Sequence, residues 1–330
     1  MDKNKIFSKV QEYIESVPLI LIGTGGTIPY GLPGMSQLAN HLLDNLHEKY
    51  KDDGEWIKLS ERLNDGVDLE TALTGLSLDG SIINDIIMQT WKLVSEYDLK
   101  LFSKIISDGY ELPLSKLIRW FYQPHPQCVN IITTNYDRVI EYACDQVKIP
   151  IDTKYYGSYL RLLSNTPLIK SKIVNLIKVH GSLDLFKDES QFVYSVPLQS
   201  EVPKGFTPYI ITPGTSKYRS VLQGPCRQAV HNADIIINDA KSYLCIGYGF
   251  NDEQIQENII AQIRLGKPIV IVTKEISEKA YELIKNNSKK YIIIQEGKEK
   301  NYTTEIIYSE GSNIIEGIYW TVDGFMQIIG

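Results

Sequence analysis

Five segments of the chain share one pattern: an aliphatic run of strand length that stops abruptly at a small or polar residue. They are LILIG (19–23), VNIITTN (129–135), VNLIKVHG (174–181), SYLCIGYG (242–249) and PIVIVTK (268–274), and YIIIQ (291–295) adds a sixth run. Near-continuous Val/Ile/Leu runs mark strands buried on both faces. Between them, SQLANHLLDNLHEKY, YDRVIEYACDQV, NDEQIQENIIAQIRLG and SEKAYELIKNNSKK carry apolar residues at helical spacing. This alternation predicts an α/β fold: a Rossmann-like, mostly parallel sheet with helices on both faces. In such a sheet ligands sit beyond the carboxyl ends of the strands, at the point where the strand order reverses. Gly23, Asn135, His180 and Gly247 each close an aliphatic run, so the prediction places them on one rim.

Residues 51–125 break the alternation. They hold long helical patterns, GSIINDIIMQTWKLVSEYDLKLFSKIISDG and PLSKLIRWFYQ, and no Val/Ile-rich strand. The expectation is an all-α module (51–125) inserted into a nucleotide-binding type of domain made of residues 1–50 and 126–330. A second insertion, about residues 184–217, reads as loop-rich with short extended pieces. The tail suggests a hairpin around Gly311-Ser312 and a last short helix.

Composition narrows the class of protein. Of 330 residues, 43% are hydrophobic and 22% charged, and the formal net charge is -6. No Lys/Arg run is long enough for a nucleic-acid footprint, so direct nucleic-acid binding is not expected. No stretch approaches the roughly 20 apolar residues of a membrane span. The start of the chain reads as an amphipathic helix (Ile6, Phe7, Val10, Tyr13, Ile14, Val17), which points to a cytoplasmic protein. The four cysteines, Cys128, Cys144, Cys226 and Cys245, form no CxxC pair, so no metal site is expected.

The candidate chemistry lies in four motifs. The first, GTGGTIPYGLP (23–33), lacks the third glycine of a G-x-G-x-x-G fingerprint, because position 28 is Ile. Small residues between a strand and a helix still suit a pyrophosphate; a plain tight turn is the competing reading. In TTNYDR (133–138), Asn135 and Asp137 are either caps of the next helix or ligand contacts. VHGSLD puts His180 at a strand end, and with an unperturbed pKa of about 6.5 it could serve as a base. IGYGFND ends in Gly247-Tyr248-Gly249-Phe250, with Asn251 or Asp252 as the cap of the next helix.

Taken in this order, the motifs resemble the sirtuin family. The sirtuin loop G-A-G-x-S, three residues, G-I-P-D-F is matched by Gly23, Thr24, Gly25, Gly26, Thr27, three residues, then Gly31, Leu32, Pro33. The family's Q-N-x-D is matched by Thr134-Asn135-Tyr136-Asp137, its catalytic H-G by His180-Gly181, and its later ribose-binding turn by Gly247 to Phe250. Gly34-Met35 replaces the family's Asp-Phe, and Thr134 replaces Gln. The four-cysteine zinc module that helps build the acyl-lysine cleft of deacylating sirtuins is missing, which argues against deacylation.

The chain thus looks like the zinc-free, sirtuin-like bacterial branch whose members hydrolyse NAD+ in antiphage defence and abortive infection. The resemblance implies NAD+ as substrate, Asn135 and His180 as catalytic residues with Asp137 beside them, and Gly23, Thr24, Gly25, Thr27, Pro33, Thr134, Gly247, Tyr248 and Gly249 around the dinucleotide. It also implies a homo-oligomer and a separate partner such as a HerA-type ATPase or a short Argonaute. Two alternatives stay open on the residues: a non-catalytic NAD or ADP-ribose sensor, and a protein ADP-ribosyltransferase or deacylase.

Overall fold

The structure is a computed structural model that describes residues 2–212, 224–298 and 302–330. Its strands, in chain order, are β1 (Leu19–Ile22), β2 (Cys128–Thr133), β3 (Ile151–Asp152), β4 (Tyr155–Tyr156), β5 (Arg161–Leu163), β6 (Ile173–Lys178), β7 (Gly181–Asp188), β8 (Val193–Ser195), β9 (Phe206–Ile210), β10 (Tyr243–Ile246), β11 (Ile269–Val272), β12 (Tyr291–Glu296), β13 (Thr303–Tyr308) and β14 (Gly311–Glu316). Nine form one sheet in the order β14-β13-β12-β11-β10-β1-β2-β6-β3. From β12 to β3 all neighbours are parallel, while β13 and β14 add an antiparallel hairpin at one edge. Reading β6-β2-β1-β10-β11-β12 by chain order gives 3-2-1-4-5-6, the Rossmann arrangement, with its switch point between β1 and β10.

The aliphatic runs follow from covering both faces. Ile20 and Ile22 of β1 point into one core, with Ile6 and Val10 of the helix Lys3–Tyr13, the helix Pro113–Tyr122 and the helix Val322–Ile329. Leu19 and Leu21 point into the other, with the helices Gly224–Asp239, Glu253–Arg264 and Glu278–Asn287. β10 and β11 divide their residues in the same alternating way. A strand sandwiched between two helix layers has no polar face to spare.

Residues 54–122 contain helices and no strand. A third core joins Trp56, Leu59, Leu69 and Leu73 to Leu38, Leu42 and Leu46 of the helix Met35–Tyr50. The long helix Gly80–Asp108 spans two cores: Ile82 and Ile86 pack in the third, Trp91 and Leu101 in the first. It is pinned at two points. Trp91 Nε1 donates to the carbonyl of Leu183 at 2.9 Å. Asp98, fully buried, accepts from Arg138 N (2.7 Å), Arg138 Nε (2.9 Å), Arg138 Nη2 (2.6 Å) and Tyr142 Oη (2.6 Å).

Two expectations take a definite form. The short extended pieces expected in the loop-rich region are the end of β7 together with β8 and β9, which join β4 and β5 in a five-stranded antiparallel sheet ordered β4-β5-β8-β7-β9 that was not anticipated; residues 213–217 of that region lie outside the described residues. Its strands are short, and Tyr156 and Leu162 are exposed, so no long apolar run announces it. The tail hairpin pairs Tyr308 with Gly311, so it turns at Ser309–Glu310, just before the expected glycine. Among the described residues, no helix is long and apolar enough to cross a membrane.

Removing the Asp98 carboxylate would strand the Arg138 guanidinium in the core. Asp98→Ala should therefore lose about 3–5 kcal/mol of stability, measured by urea unfolding. A loss within the ~1 kcal/mol typical of exposed ion pairs would show that this pair does not fasten the long helix.

Candidate functional site

At the switch point two turns press backbone against backbone. Gly23 N donates to the carbonyl of Ile246 and Gly25 N to that of Gly247, both at 3.1 Å. Gly247 has φ +54°, and a Cβ there would lie 2.0 Å from Gly26 N; a Cβ on Gly23 would lie 2.5 Å from Gly247 O. Neither position has room for any side chain. The glycines of the first loop are thus required by the turn after β10, whatever else they face. The chain then runs through two short 3-10 turns, Thr24–Gly26 and Ile28–Tyr30, into the helix Met35–Tyr50.

The turn after β2 is laced to this crossing. Thr133 Oγ1 donates to Ile22 O (2.7 Å) and accepts from Asn135 N (3.1 Å). Asn135 Nδ2 donates to Gly23 O and to Thr27 Oγ1, both at 3.1 Å, and Thr24 Oγ1 approaches Asn135 Oδ1 at 3.5 Å. Thr27 Oγ1 in turn donates to Asp137 Oδ2 at 3.1 Å, while Asp137 Oδ1 accepts from Val139 N at 3.2 Å at the start of the helix Val139–Gln146. From behind, Lys178 Nζ donates to the carbonyl of Asp137, to Ser182 Oγ (3.0 Å) and to Glu141 Oε1 (2.7 Å). Burial pushes the Asp137 carboxyl up to about 6, against the opposing charge of Lys178.

His180 stands between the two sheets, two residues past the end of β6 and one before β7. Gly181 after it has φ +83°, and a Cβ there would sit 2.1 Å from Tyr209 O, so the small sheet requires a glycine at this position. His180 Nε2 lies 2.6 Å from Asp252 Oδ2. The other oxygen, Asp252 Oδ1, accepts from Ile255 N at 3.0 Å and caps the helix Glu253–Arg264. One carboxylate therefore starts a helix and holds the imidazole.

These residues border a cavity of about 400 Å3. Asn135, Asp137, Thr134 and His180 line it from the β2 and β6 side, Gly23, Thr24, Gly25 and Pro33 from the first loop, and Gly247, Tyr248 and Gly249 from the β10 side. Thr27 does not line it: fully buried, it works from beneath by holding Asn135 and Asp137. The Tyr248 ring turns inward and meets Phe250 edge-on at 5.0 Å, leaving its backbone at the cavity. A larger lobe of about 1040 Å3 continues over β10 and β11, between Thr273–Ser277, Trp320–Val322 and the helix Leu69–Leu73. The two lobes share Gly25, Ile28, Glu70, Gly247, Tyr248, Gly249, Asn251 and Asp252. The sequence offered Asp252 only as a cap and did not single out Glu70 or Lys178. Among the described residues, no three His, Cys, Asp or Glu side chains cluster as a metal site would require.

A 3-2-1-4-5-6 sheet with glycine turns crossing at its switch point and a cleft over that crossing defines a Rossmann-type α/β domain. Residues 129–307 match the SIR2-like domain, and the chain belongs to that family. No curated protein matches the sequence. Similar solved structures include a Sir2 enzyme studied for mechanism and regulation (13% identity, covering 86% of this chain and 91% of that one, TM-score 0.48). Others are a sirtuin studied for substrate affinity (14% identity, 88% and 93%, TM-score 0.44) and a Sir2 with p53 peptide and NAD+ (13% identity, 88% and 92%, TM-score 0.41).

Two measurements check this geometry. Gly31 also has positive φ, +95°, but nothing lies within 4 Å of its Cβ position. Gly31→Ala should cost about 1–2 kcal/mol from backbone strain alone, and Gly247→Ala more than about 3 kcal/mol; equal losses in thermal melts would mean that the crossing is loose. The second concerns pH. The Asp137 carboxyl keeps its proton to about pH 6 when folded, against about 3.9 unfolded. It therefore favours the folded chain below pH ~4 and loses that contribution as pH rises through 6. Asp137→Asn lacks this dependence, so its stability relative to wild type should rise by about 2–3 kcal/mol between pH 4 and 7. A flat difference would show that Asp137 ionises normally.

Proposed function

We propose that this chain hydrolyses NAD+ to nicotinamide and ADP-ribose. The observation that carries the reading is the 2.6 Å pair of His180 with Asp252, which shares a cavity with Asn135 beside the glycine crossing. Simple dinucleotide binding needs neither a fixed imidazole nor an amide laced into two loops. The bond to be cut joins a ribose carbon to a cationic ring nitrogen, so nicotinamide leaves neutral and no acid has to protonate it. The site must instead hold the ring, stabilise a cationic ribose and aim a nucleophile.

The residues divide these tasks. With Nε2 donating to Asp252, the His180 ring keeps Nδ1 to accept the proton of an attacking water. Asn135, its Nδ2 engaged by Gly23 and Thr27, keeps an Oδ1 lone pair for that water or for a ribose hydroxyl. Asp137, which lines the smaller lobe beside Asn135, is assigned the carboxamide of nicotinamide. Gly23, Thr24, Gly25 and Pro33 face the diphosphate and ribose, with Thr134 beside Asn135; Gly247, Tyr248 and Gly249 lead to the larger lobe for the adenosine. Thr27 serves through Asn135 and Asp137. The helical segment 51–125 acts as an inserted roof over this path. The resemblance further supports a role as the effector of antiphage abortive infection, working in the cytoplasm as a homo-oligomer with a HerA-type ATPase or short Argonaute partner.

The test is a time course of nicotinamide and ADP-ribose release by wild type, Asn135→Ala and His180→Ala. Wild type should turn over, and each variant should lose about 100-fold or more while melting within a few degrees of wild type. Turnover by His180→Ala at the wild-type rate would sink the assignment. ADP-ribose found on protein instead of free would mean transfer, and binding without cleavage would mean a sensor.

A further inference from the structure

The helical segment sets two acidic residues on the cleft, Asp68 and Glu70, and of these only Glu70 borders both lobes. Glu70 belongs to the helix Leu69–Leu73, whose Leu69, Ala72 and Leu73 are buried in the third core. Asp68 caps that helix by accepting from Thr71 N at 3.0 Å. Arg62 Nη1 ties down its far end, donating to the carbonyls of Ala72 and Thr74 at 2.9 Å. The helix is thus fixed from behind, and the half-buried Glu70 faces the cleft where both lobes meet. Its charge reaches the β2 side and the β10 side alike. Burial first, and Glu70 further, raises the pKa of both Tyr136 and Tyr248.

Two carboxylates stand on the wall that the lobes share, Glu70 and Asp252. Asp252 is engaged by His180 and by Ile255 N. Glu70 comes from the helical segment, and with NAD+ placed as proposed above it stands beside the ribose between nicotinamide and diphosphate.

We infer that Glu70 is a further catalytic residue: it accepts hydrogen bonds from the hydroxyls of the nicotinamide-side ribose and stabilises the positive charge that develops on that ring. The inference rests on the reading of the chain as an NAD+ hydrolase. In the reaction the bond from the ribose C1′ to nitrogen breaks and its electron pair goes to nicotinamide, which leaves neutral. C1′ and the ring oxygen are left sharing a positive charge. Water then bonds to C1′, and its proton passes through His180 to solvent, so NAD+ and water give ADP-ribose, nicotinamide and a proton. Glu70 keeps its carboxylate throughout. A carboxylate beside an oxocarbenium-like sugar is the general solution of glycosyl transfer, and its attraction strengthens as the charge appears, which is the condition for lowering a barrier.

The experiment compares nicotinamide release by wild type and Glu70→Gln, with NAD+ affinity measured by calorimetry for each substitution state of position 70 in the His180→Ala background. We expect kcat to fall about 100-fold or more in Glu70→Gln, while the dissociation constant for NAD+ weakens by less than about tenfold and the melting temperature is unchanged. Turnover of Glu70→Gln within twofold of wild type overturns the inference, and so does a loss of kcat matched by a loss of melting temperature, which would make Glu70 a structural residue. A wild type that binds NAD+ without releasing nicotinamide removes the hydrolase reading and this inference together; a wild type that cleaves beside an unaffected Glu70→Gln removes Glu70 alone.

Discussion

The close crossing of the turns after β1 and β10 is the constraint on which the rest of the site depends. Gly23, Gly25, Gly26 and Gly247 bring two backbones within hydrogen-bonding distance, where any Cβ on Gly23 or Gly247 would collide with main-chain atoms. With the floor fixed, each neighbouring turn can be referred to it. Asn135 reads the carbonyl of Gly23 directly, and Asp137 reaches it through Thr27. Asp252 follows the second turn by a few residues and carries the position of the floor across to His180. Polar groups that converge on the cleft are therefore aligned against one rigid reference, as preorganised electrostatics requires.

The helical segment is joined to that reference by charge as well as by packing. Asp98 takes four hydrogen bonds from Arg138 and Tyr142, immediately beyond Asp137. A buried pair of this kind contributes little by being present and costs much when broken. Its effect here is registration: the long helix Gly80–Asp108 cannot slide without dragging the loop that carries Asn135. The same helix reaches the small sheet through Trp91, which donates to Leu183 and meets Phe186 edge-on at 5.7 Å. Three bodies of the fold thus share one set of fixed points around the cleft.

Much of this was legible in the chain itself, and for physical reasons. Strands β1, β2, β6, β10, β11 and β12 are covered on both faces, so their aliphatic runs stand out, and the small or polar residues that end them fall on one rim. The small antiparallel sheet was not legible. β4 has two residues and β5 and β8 three each, and Tyr156 and Leu162 stay exposed, so neither period nor hydropathy separates them from loop. Asp252 was visible as a helix cap, but its partnership with His180 depends on two turns meeting across the sheet, which no local pattern encodes. Glu70 was hidden for a similar reason: its helix has five residues, and only tertiary packing turns it toward the cleft.

The strand order has one more consequence. β1 is made first and lies at the centre, yet its partner on one side, β10, comes late in the chain. Ribosomal synthesis runs from the N-terminus, so Gly23 and Gly25 exist for most of translation with nothing to lie against. His180 likewise waits for Asp252. The cleft is completed only when β10 takes its place between β1 and β11. A nascent chain that stops before β10 therefore carries the residues of the cleft without the cleft itself.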